Sequence, residues 1–156
     1  MEACAGCGLT VVGGTDGCQA LFHQLWTRQD LRDGLPYPIR RKAVDVYCLQ
    51  HPDRYCVSAK SLAAHLTGLC WALEHGGSST GLAALQRWLN GPAKISKPAL
   101  PASRGGVTIA DVMGARHLAG FGRTVDRWAL ATWAAYSGLH ETARRWVDEA
   151  ISGAGR

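Results

Sequence analysis

The sequence predicts a mostly α-helical protein: a compact bundle of five or six helices behind a glycine-rich N-terminal zinc knuckle. Three observations favour this class. Apolar side chains recur at intervals of three and four residues in several segments. Capping residues and glycines bracket those segments. No segment shows a useful run of alternating apolar and polar residues, so the expected core is helix packed on helix.

Two predicted helices follow the knuckle. The first spans about 18–33, where apolar side chains have helical spacing at Leu21, Phe22, Leu25 and Trp26. The segment DGLPYP breaks it. The second spans about 39–50 and ends before Pro52, because the residue that precedes a proline is biased away from the helix.

The clearest helical pattern is SAKSLAAHLTGLCWALEHGG. Ser58 can cap its N-terminus and the glycine pair at 76–77 stops it. A leucine stripe runs along the segment at Leu62, Leu66, Leu69 and Leu73. A short helix follows in GLAALQRWLNG. Residues 91–106 then hold three of the six prolines, and a loop of that length inside a compact domain is more often functional or mobile than inert.

The C-terminal third predicts a capped turn and two helices. Thr108 and Asp111 have capping-box spacing in TIADV. The helices are expected at about 124–136 and 140–151. With no internal repeat, the sequence predicts one domain over 1–156, in which residues 1–23 form a metal-binding knuckle that leads into the helical core.

The composition excludes several classes of protein. Hydrophobic residues make up 47% and charged residues 19% of the 156 positions, which is typical of a globular protein and not of a disordered one. No signal-peptide pattern and no apolar run of about 20 residues is present, so we expect no membrane segment and a cytoplasmic location. The net charge of +5 is compatible with an anionic ligand but mild for a dedicated nucleic-acid module.

A cysteine pattern near the start of the chain predicts a metal site. Its spacing is Cys4-x2-Cys7-x10-Cys18, and six cysteines in a cytoplasmic protein are not expected to form stable disulfides. Zinc prefers thiolate and imidazole ligands, and a Cys-x2-Cys pair can bind one ion from a single turn. A thioredoxin-like redox pair would need a preceding strand, which is missing here. Unliganded thiols are the remaining alternative.

The fourth metal ligand is open at the level of sequence. His23 is nearest, five residues after Cys18, although on a helix it points about 140° away from that cysteine. His51, Cys48 and Cys56 are the other candidates. If no protein ligand closes the site, water takes the fourth position and the zinc becomes a candidate reaction centre.

Two further groups are candidate site residues. Tyr47 and His51 share a helical face with four-residue spacing, so they could bind one ligand or transfer a proton as catalytic residues. Arg40 and Arg41, with Lys42, form a basic run at a helix start. Cations there oppose the helix dipole, which favours an anionic ligand for the two arginines.

Several motifs together resemble a family of small uncharacterised bacterial proteins. They are CAGCG, GCQALFHQLW, the Tyr-x-Leu-Gln-His-Pro segment within VDVYCLQHPDRYC, TIADV and VDRWA. The resemblance covers nearly the whole chain and implies an architecture without an activity. It marks as site residues Cys4, Cys7, Cys18, His23, Tyr47, Gln50, His51, Thr108 and Asp111. A histidine expected shortly before the Tyr-x-Leu-Gln-His-Pro segment is replaced here by the basic run.

Three functions follow from these features. The preferred one is an enzyme or biosynthetic accessory that acts on a small molecule, with zinc as a Lewis acid or substrate anchor. The first alternative is a structural-zinc module that binds nucleic acid, which is not favoured, or an acidic protein. The second is a thiol redox protein. A homodimer is a further candidate, because Trp71 lies opposite the leucine stripe of its helix.

Overall fold

Helices make up 68% of the chain in the computed structural model, which describes residues 1–154, and the mostly α class is confirmed. Nine α-helices occur in that range, more than the five or six predicted. In chain order they are α1 (Gly14–Leu25), α2 (Gln29–Gly34), α3 (Tyr37–Gln50), α4 (Pro52–Tyr55), α5 (Ala59–Glu74), α6 (Ser79–Asn90), α7 (Ile109–Met113), α8 (Leu118–Ala135) and α9 (His140–Ala154), with a 3-10 turn at Ser137–Leu139 before α9.

The N-terminal knuckle is a small β-hairpin that the sequence pattern did not predict. Strand β1 (Glu2–Ala3) pairs antiparallel with β2 (Thr10–Val11), in the register Glu2 to Val11 and Ala3 to Thr10. With two residues in each strand, the pattern is too short to show alternation. The hairpin closes the loop that carries Cys4 and Cys7, and it lies against α1.

The predicted helix at 18–33 is two helices, because the chain breaks at 26–28. The Thr27 hydroxyl donates to the Gln24 carbonyl at 2.7 Å and satisfies the end of α1. Arg28 is extended, and its guanidinium binds both Asp30 and the Ala115 carbonyl. These contacts hold the chain in the non-helical conformation that starts α2.

Helix α8 begins at Leu118, six residues before the predicted start. Two glycines near its N-terminus, Gly120 and Gly122, weaken the helical signal of the sequence. A Cβ on Gly122 would lie 3.8 Å from Ile39 of α3. Packing against α3 therefore stabilises this segment of low helix propensity. The predicted capping box of α7 is present: Thr108 caps the helix and Asp111 accepts from the Thr108 N–H at 2.8 Å.

The core is one continuous cluster of buried side chains, with α3 at its centre. Helix α3 packs against α5 on one side and α8 on the other, while α6 and α9 cover α5. Trp71, the candidate dimer contact, packs on the start of α6 and donates to the Ser78 carbonyl at 3.1 Å. Within residues 1–154, no helix combines the length and apolarity that a bilayer crossing needs.

Candidate metal centre

Four side chains from three parts of the fold converge on one point. They are Cys4 and Cys7 from the hairpin, Cys18 from α1 and His51 at the end of α3, and their ligand atoms all lie within 4.8 Å of one another. We call them the Cys3His cluster. Three of the four residues are buried and Cys7 is half-buried, so the cluster could hold a metal ion at the edge of the core.

Two separations within the cluster match those of a tetrahedral site around one ion. The sulfurs of Cys7 and Cys18 are 3.8 Å apart, and the Cys18 sulfur is 3.4 Å from Nε2 of His51. With metal–sulfur bonds of about 2.3 Å and metal–nitrogen bonds of about 2.0 Å, a tetrahedral site separates two sulfurs by about 3.8 Å and sulfur from nitrogen by about 3.5 Å. The ligand atoms therefore surround a space of the right size.

The hairpin loop can reach His51 because of two glycines. Gly8 has a φ of +79°, a conformation that favours glycine, and its N–H donates to the Cys4 carbonyl at 2.9 Å. Gly6 lies directly on the imidazole: a Cβ there would be 2.5 Å from Cδ2 of His51 and 2.7 Å from the Gln50 carbonyl. This role of Gly6 was not predicted. The sequence feature that could have indicated it is the position of the glycine inside the Cys-x2-Cys pair.

The orientation of His51 is fixed by its own helix. Nδ1 donates to the Tyr47 carbonyl at 2.7 Å, which leaves the lone pair of Nε2 facing the sulfurs. Metal-binding histidines commonly make this second hydrogen bond to a carbonyl or carboxylate. The imidazole also stacks on the Tyr47 ring, with centroids 4.0 Å apart. Pro52 begins the next turn, so the chain leaves α3 at the residue that points into the cluster.

The electrostatics of the cluster favour a bound cation. The hydrogen bond from the Cys18 thiol is the main reason that the pKa of Cys7 falls to about 4, against the opposing effect of burial. The same contact, together with burial, raises the pKa of Cys18. The Tyr47 hydroxyl lies 3.5 Å from the Cys18 sulfur and can donate to it as a thiolate. A cation that replaces the proton shared by Cys7 and Cys18 would be held by the thiolates of the three cysteines.

His23, placed as a metal ligand by the sequence analysis, lies outside the cluster. It is exposed on α1, whereas Cys18 and Phe22 on the same helix are buried. Five helical positions rotate it by about 140° from Cys18. The fourth side chain that the structure brings to the three cysteines is His51. Cys48 and Cys56 are also elsewhere: the Cys56 thiol faces the Cys48 carbonyl at 3.5 Å, and burial raises the pKa of both cysteines.

Of the predicted catalytic pair, His51 belongs to the cluster and Tyr47 lies beside it. Both nitrogens of His51 have partners, Nε2 at Cys18 and Nδ1 at the Tyr47 carbonyl. The Tyr47 side chain is buried, and burial is the main cause that raises its pKa. A cavity of about 220 Å³ borders the imidazole, between Gly6 and Arg54. Tyr47 does not line that cavity, so the two residues do not face a common substrate space.

The predicted ligand-binding residues do not form one site. Arg41 pairs with the fully buried Asp45 through Nε at 3.0 Å, and Arg40 lies over the Trp26 ring at 4.6 Å. Gln50 is buried and accepts from the Trp128 indole at 2.8 Å. Each of these side chains has a structural partner, which leaves no shared pocket for an anion.

A buried ion-pair network around Asp45 was not anticipated from the sequence. His65 lies 2.9 Å from this carboxylate, in addition to the Arg41 contact. Gly68 provides the space, because a Cβ there would be 2.4 Å from the carboxylate. His65 is half-buried, and its contact with Asp45 is structural. The network joins the middle of α3 to α5.

The proline-rich loop at 91–107 is tied to the cluster at its C-terminal end. Arg104 donates from Nη1 to the Gly6 carbonyl at 3.1 Å. Gln50, beside His51, donates to the carbonyls of Arg104 at 3.1 Å and Val107 at 2.7 Å. The hairpin, the end of α3 and this loop therefore form one hydrogen-bonded unit around the Cys3His cluster.

These features define a small helical protein whose N-terminal hairpin joins the bundle through a Cys3His cluster able to hold a metal ion. A family model described as a family of unknown function, DUF5946, matches residues 2–137. The chain belongs to this family, which confirms the expected membership in an uncharacterised family. No curated protein and no solved structure matches the chain.

Proposed function

We propose that the protein binds one zinc ion in a structural Cys3His site, and that it acts as a zinc-stabilised binding module. The observation that carries the proposal is the convergence of four ligand atoms within 4.8 Å of one another, with 3.8 Å between the sulfurs of Cys7 and Cys18 and 3.4 Å between the Cys18 sulfur and Nε2 of His51. Three thiolates and an imidazole form a soft donor set that suits Zn²⁺ and disfavours Mg²⁺ or Ca²⁺.

The number of protein ligands favours a structural ion over a reaction centre. Catalytic zinc sites keep three protein ligands and one open position, whereas structural sites have four. Here His51 fills the fourth position, and its second nitrogen is held by the Tyr47 carbonyl. This arrangement supports the binding module over the small-molecule enzyme. It also argues against a redox pair, because the ion would occupy both thiolates of the Cys-x2-Cys motif.

The absence of disulfides among the six cysteines is relevant to the compartment in which the protein is located. All six are free, and three zinc-bound thiolates require a reducing compartment to persist. We therefore retain the cytoplasm as the proposed location.

The test is metal content followed by ligand assignment. Protein purified without a metal-binding tag is analysed for its elements and then by X-ray absorption at the zinc edge. The proposal predicts one zinc per chain with three sulfurs and one nitrogen. In His51→Ala the nitrogen is lost and a light exchangeable atom replaces it. The matched control His23→Ala keeps the native spectrum, because that residue is exposed on α1.

Other outcomes would contradict the proposal. Protein without metal, with Cys4 and Cys7 cycling to a disulfide, would establish the redox alternative. An exchangeable oxygen ligand in the unmodified protein would make the ion a reaction centre and would bring back the small-molecule substrate. Loss of the nitrogen signal in His23→Ala would show that the ligand set differs from the cluster.

A further inference from the structure

An open groove of about 640 Å³ lies between α7 and α8, on a face that does not contain the Cys3His cluster. Its lining residues are Ala110, Asp111, Gly114, Ala115, Gly120, Arg123, Thr124 and Arg127. Four of them are glycine or alanine, so a backbone can approach closely. We call this surface the α7–α8 groove.

Two arginines of α8 give this groove its charge. Arg123 and Arg127 are exposed and one helical turn apart, so their Cβ atoms are about 5–6 Å from each other. Over residues 1–154, neither guanidinium has an ion-pair partner. By contrast, Arg41 and Arg144 elsewhere in the bundle are paired with carboxylates.

The carboxylates close to the two arginines are already engaged. Asp111, on the α7 wall, accepts from the Thr108 N–H at 2.8 Å in the capping box. Asp126, between the arginines in sequence, pairs with Lys42 at 2.9 Å. Arg116, exposed just before α8, adds another positive charge near this face. The groove thus presents two free guanidinium forks above a floor of small residues.

We propose that the α7–α8 groove binds an acidic peptide segment of a partner protein, with Arg123 and Arg127 each holding a carboxylate. Guanidinium matches carboxylate in a two-point hydrogen-bonded geometry. In an extended segment, carboxylates on alternate residues are about 7 Å apart, close to the spacing of the two arginines. The proposal names a partner class for the binding module, and it does not depend on which metal the cluster holds.

The lining of the groove favours a peptide over other anions. None of its eight residues is aromatic, so it lacks the stacking surface with which proteins hold single-stranded nucleic acid. Small-molecule sites enclose most of their ligand and are lined mainly by apolar and aromatic side chains. An open groove with a small-residue floor instead leaves room for a continuous chain.

The test measures binding of the full chain, loaded with metal, to a fluorescein-labelled octapeptide of alternating Glu and Gly. Fluorescence anisotropy is recorded in about 50 mM salt, where exposed charges are weakly screened. The proposal predicts that Arg123→Glu/Arg127→Glu weakens binding by about tenfold or more, since two attractive contacts become repulsive. A peptide of alternating Gln and Gly should not bind.

The matched control is Arg87→Glu/Arg145→Glu, which makes the same change in net charge at two exposed positions of α6 and α9. It should change the affinity by less than about twofold, because neither position lines the groove, and charges more than a Debye length away, about 10 Å or somewhat more at this salt concentration, are largely screened. Metal content and circular dichroism establish that both variants are folded. Three results would overturn the proposal: no peptide binding by the unmodified protein at about 1 mM, equal losses in both variants, or tighter binding of single-stranded DNA through the same two arginines.

Discussion

Replacement of Gly6 by alanine should weaken metal binding without unfolding the helical bundle. The added Cβ would lie 2.5 Å from Cδ2 of His51 and 2.7 Å from the Gln50 carbonyl. Favourable carbon–carbon contacts are about 3.5–4.0 Å long, so the hairpin loop must move away by about 1 Å. That movement shifts Cys4 and Cys7 relative to the imidazole.

The size of the effect follows from the cost of overpacking. An extra methyl group in a tightly packed position costs about 1–3 kcal/mol. In the metal-free protein the loop can lift from His51 and relieve the strain, so most of this cost should fall on metal affinity. The expected loss is about 5- to 150-fold in the dissociation constant.

The assay is a competition for Zn²⁺ between the protein and a chromophoric chelator, with urea unfolding of the metal-free protein alongside. Gly138→Ala is the control, because a Cβ at that position has no neighbour within 4 Å. The reasoning is refuted if Gly6→Ala binds zinc as tightly as the unmodified protein. It is also refuted if Gly138→Ala shows the same loss.

Three further predictions concern the cluster and the buried charge. Tyr47→Phe removes the hydroxyl 3.5 Å from the Cys18 sulfur and should weaken zinc binding about tenfold, as is typical when a group next to a ligand is lost; an unchanged competition curve would disprove the contact. In metal-free protein, Cys7 has a pKa of about 4, below its ordinary 9.0. It is therefore a thiolate throughout pH 6–8, and the rate at which iodoacetamide alkylates it, measured by mass spectrometry, should not increase over that range. Burial raises the pKa of Cys70 to about 12, so this cysteine should stay unmodified. Asp45→Asn leaves a half-buried guanidinium without its charge partner. It should lower the free energy of unfolding by about 3 kcal/mol, the lower end for a broken buried pair because part of the guanidinium reaches solvent; a urea midpoint within error of the unmodified protein would contradict this.

The convergence of the three cysteines was predictable because its signal is local. Cys4 and Cys7 share one turn, and a helix starts close to Cys18, so spacing and helix pattern place all three near one another. His51 could not be singled out in this way. It lies 33 residues after Cys18, and only the packing of α3 on the first helix brings them together. Proximity in sequence favoured His23, whereas the helical rotation that excludes it is visible from the sequence.

Helix class was predictable from periodicity, but two boundaries were not. The break at 26–28 depends on Arg28, whose partners include the carbonyl of Ala115 far along the chain. The early start of α8 depends on packing that compensates for Gly120 and Gly122. The basic run at 40–42 presented a similar difficulty. The partner of Lys42, Asp126, becomes a neighbour only in the folded bundle. Asp45, the partner of Arg41, lies one turn along the same helix, so the sequence did offer this pairing.

An ion in the Cys3His cluster would act as a reversible cross-link between residues that are 47 positions apart, Cys4 and His51. Closing a loop of that length restricts the unfolded chain by about 4 kcal/mol in the chain-entropy description used for disulfides. Unlike a disulfide, this link has a strength that depends on the free ion, rising by about 1.4 kcal/mol for each tenfold excess over the dissociation constant. The supply of metal would thus set how long the first third of the chain remains folded onto the bundle.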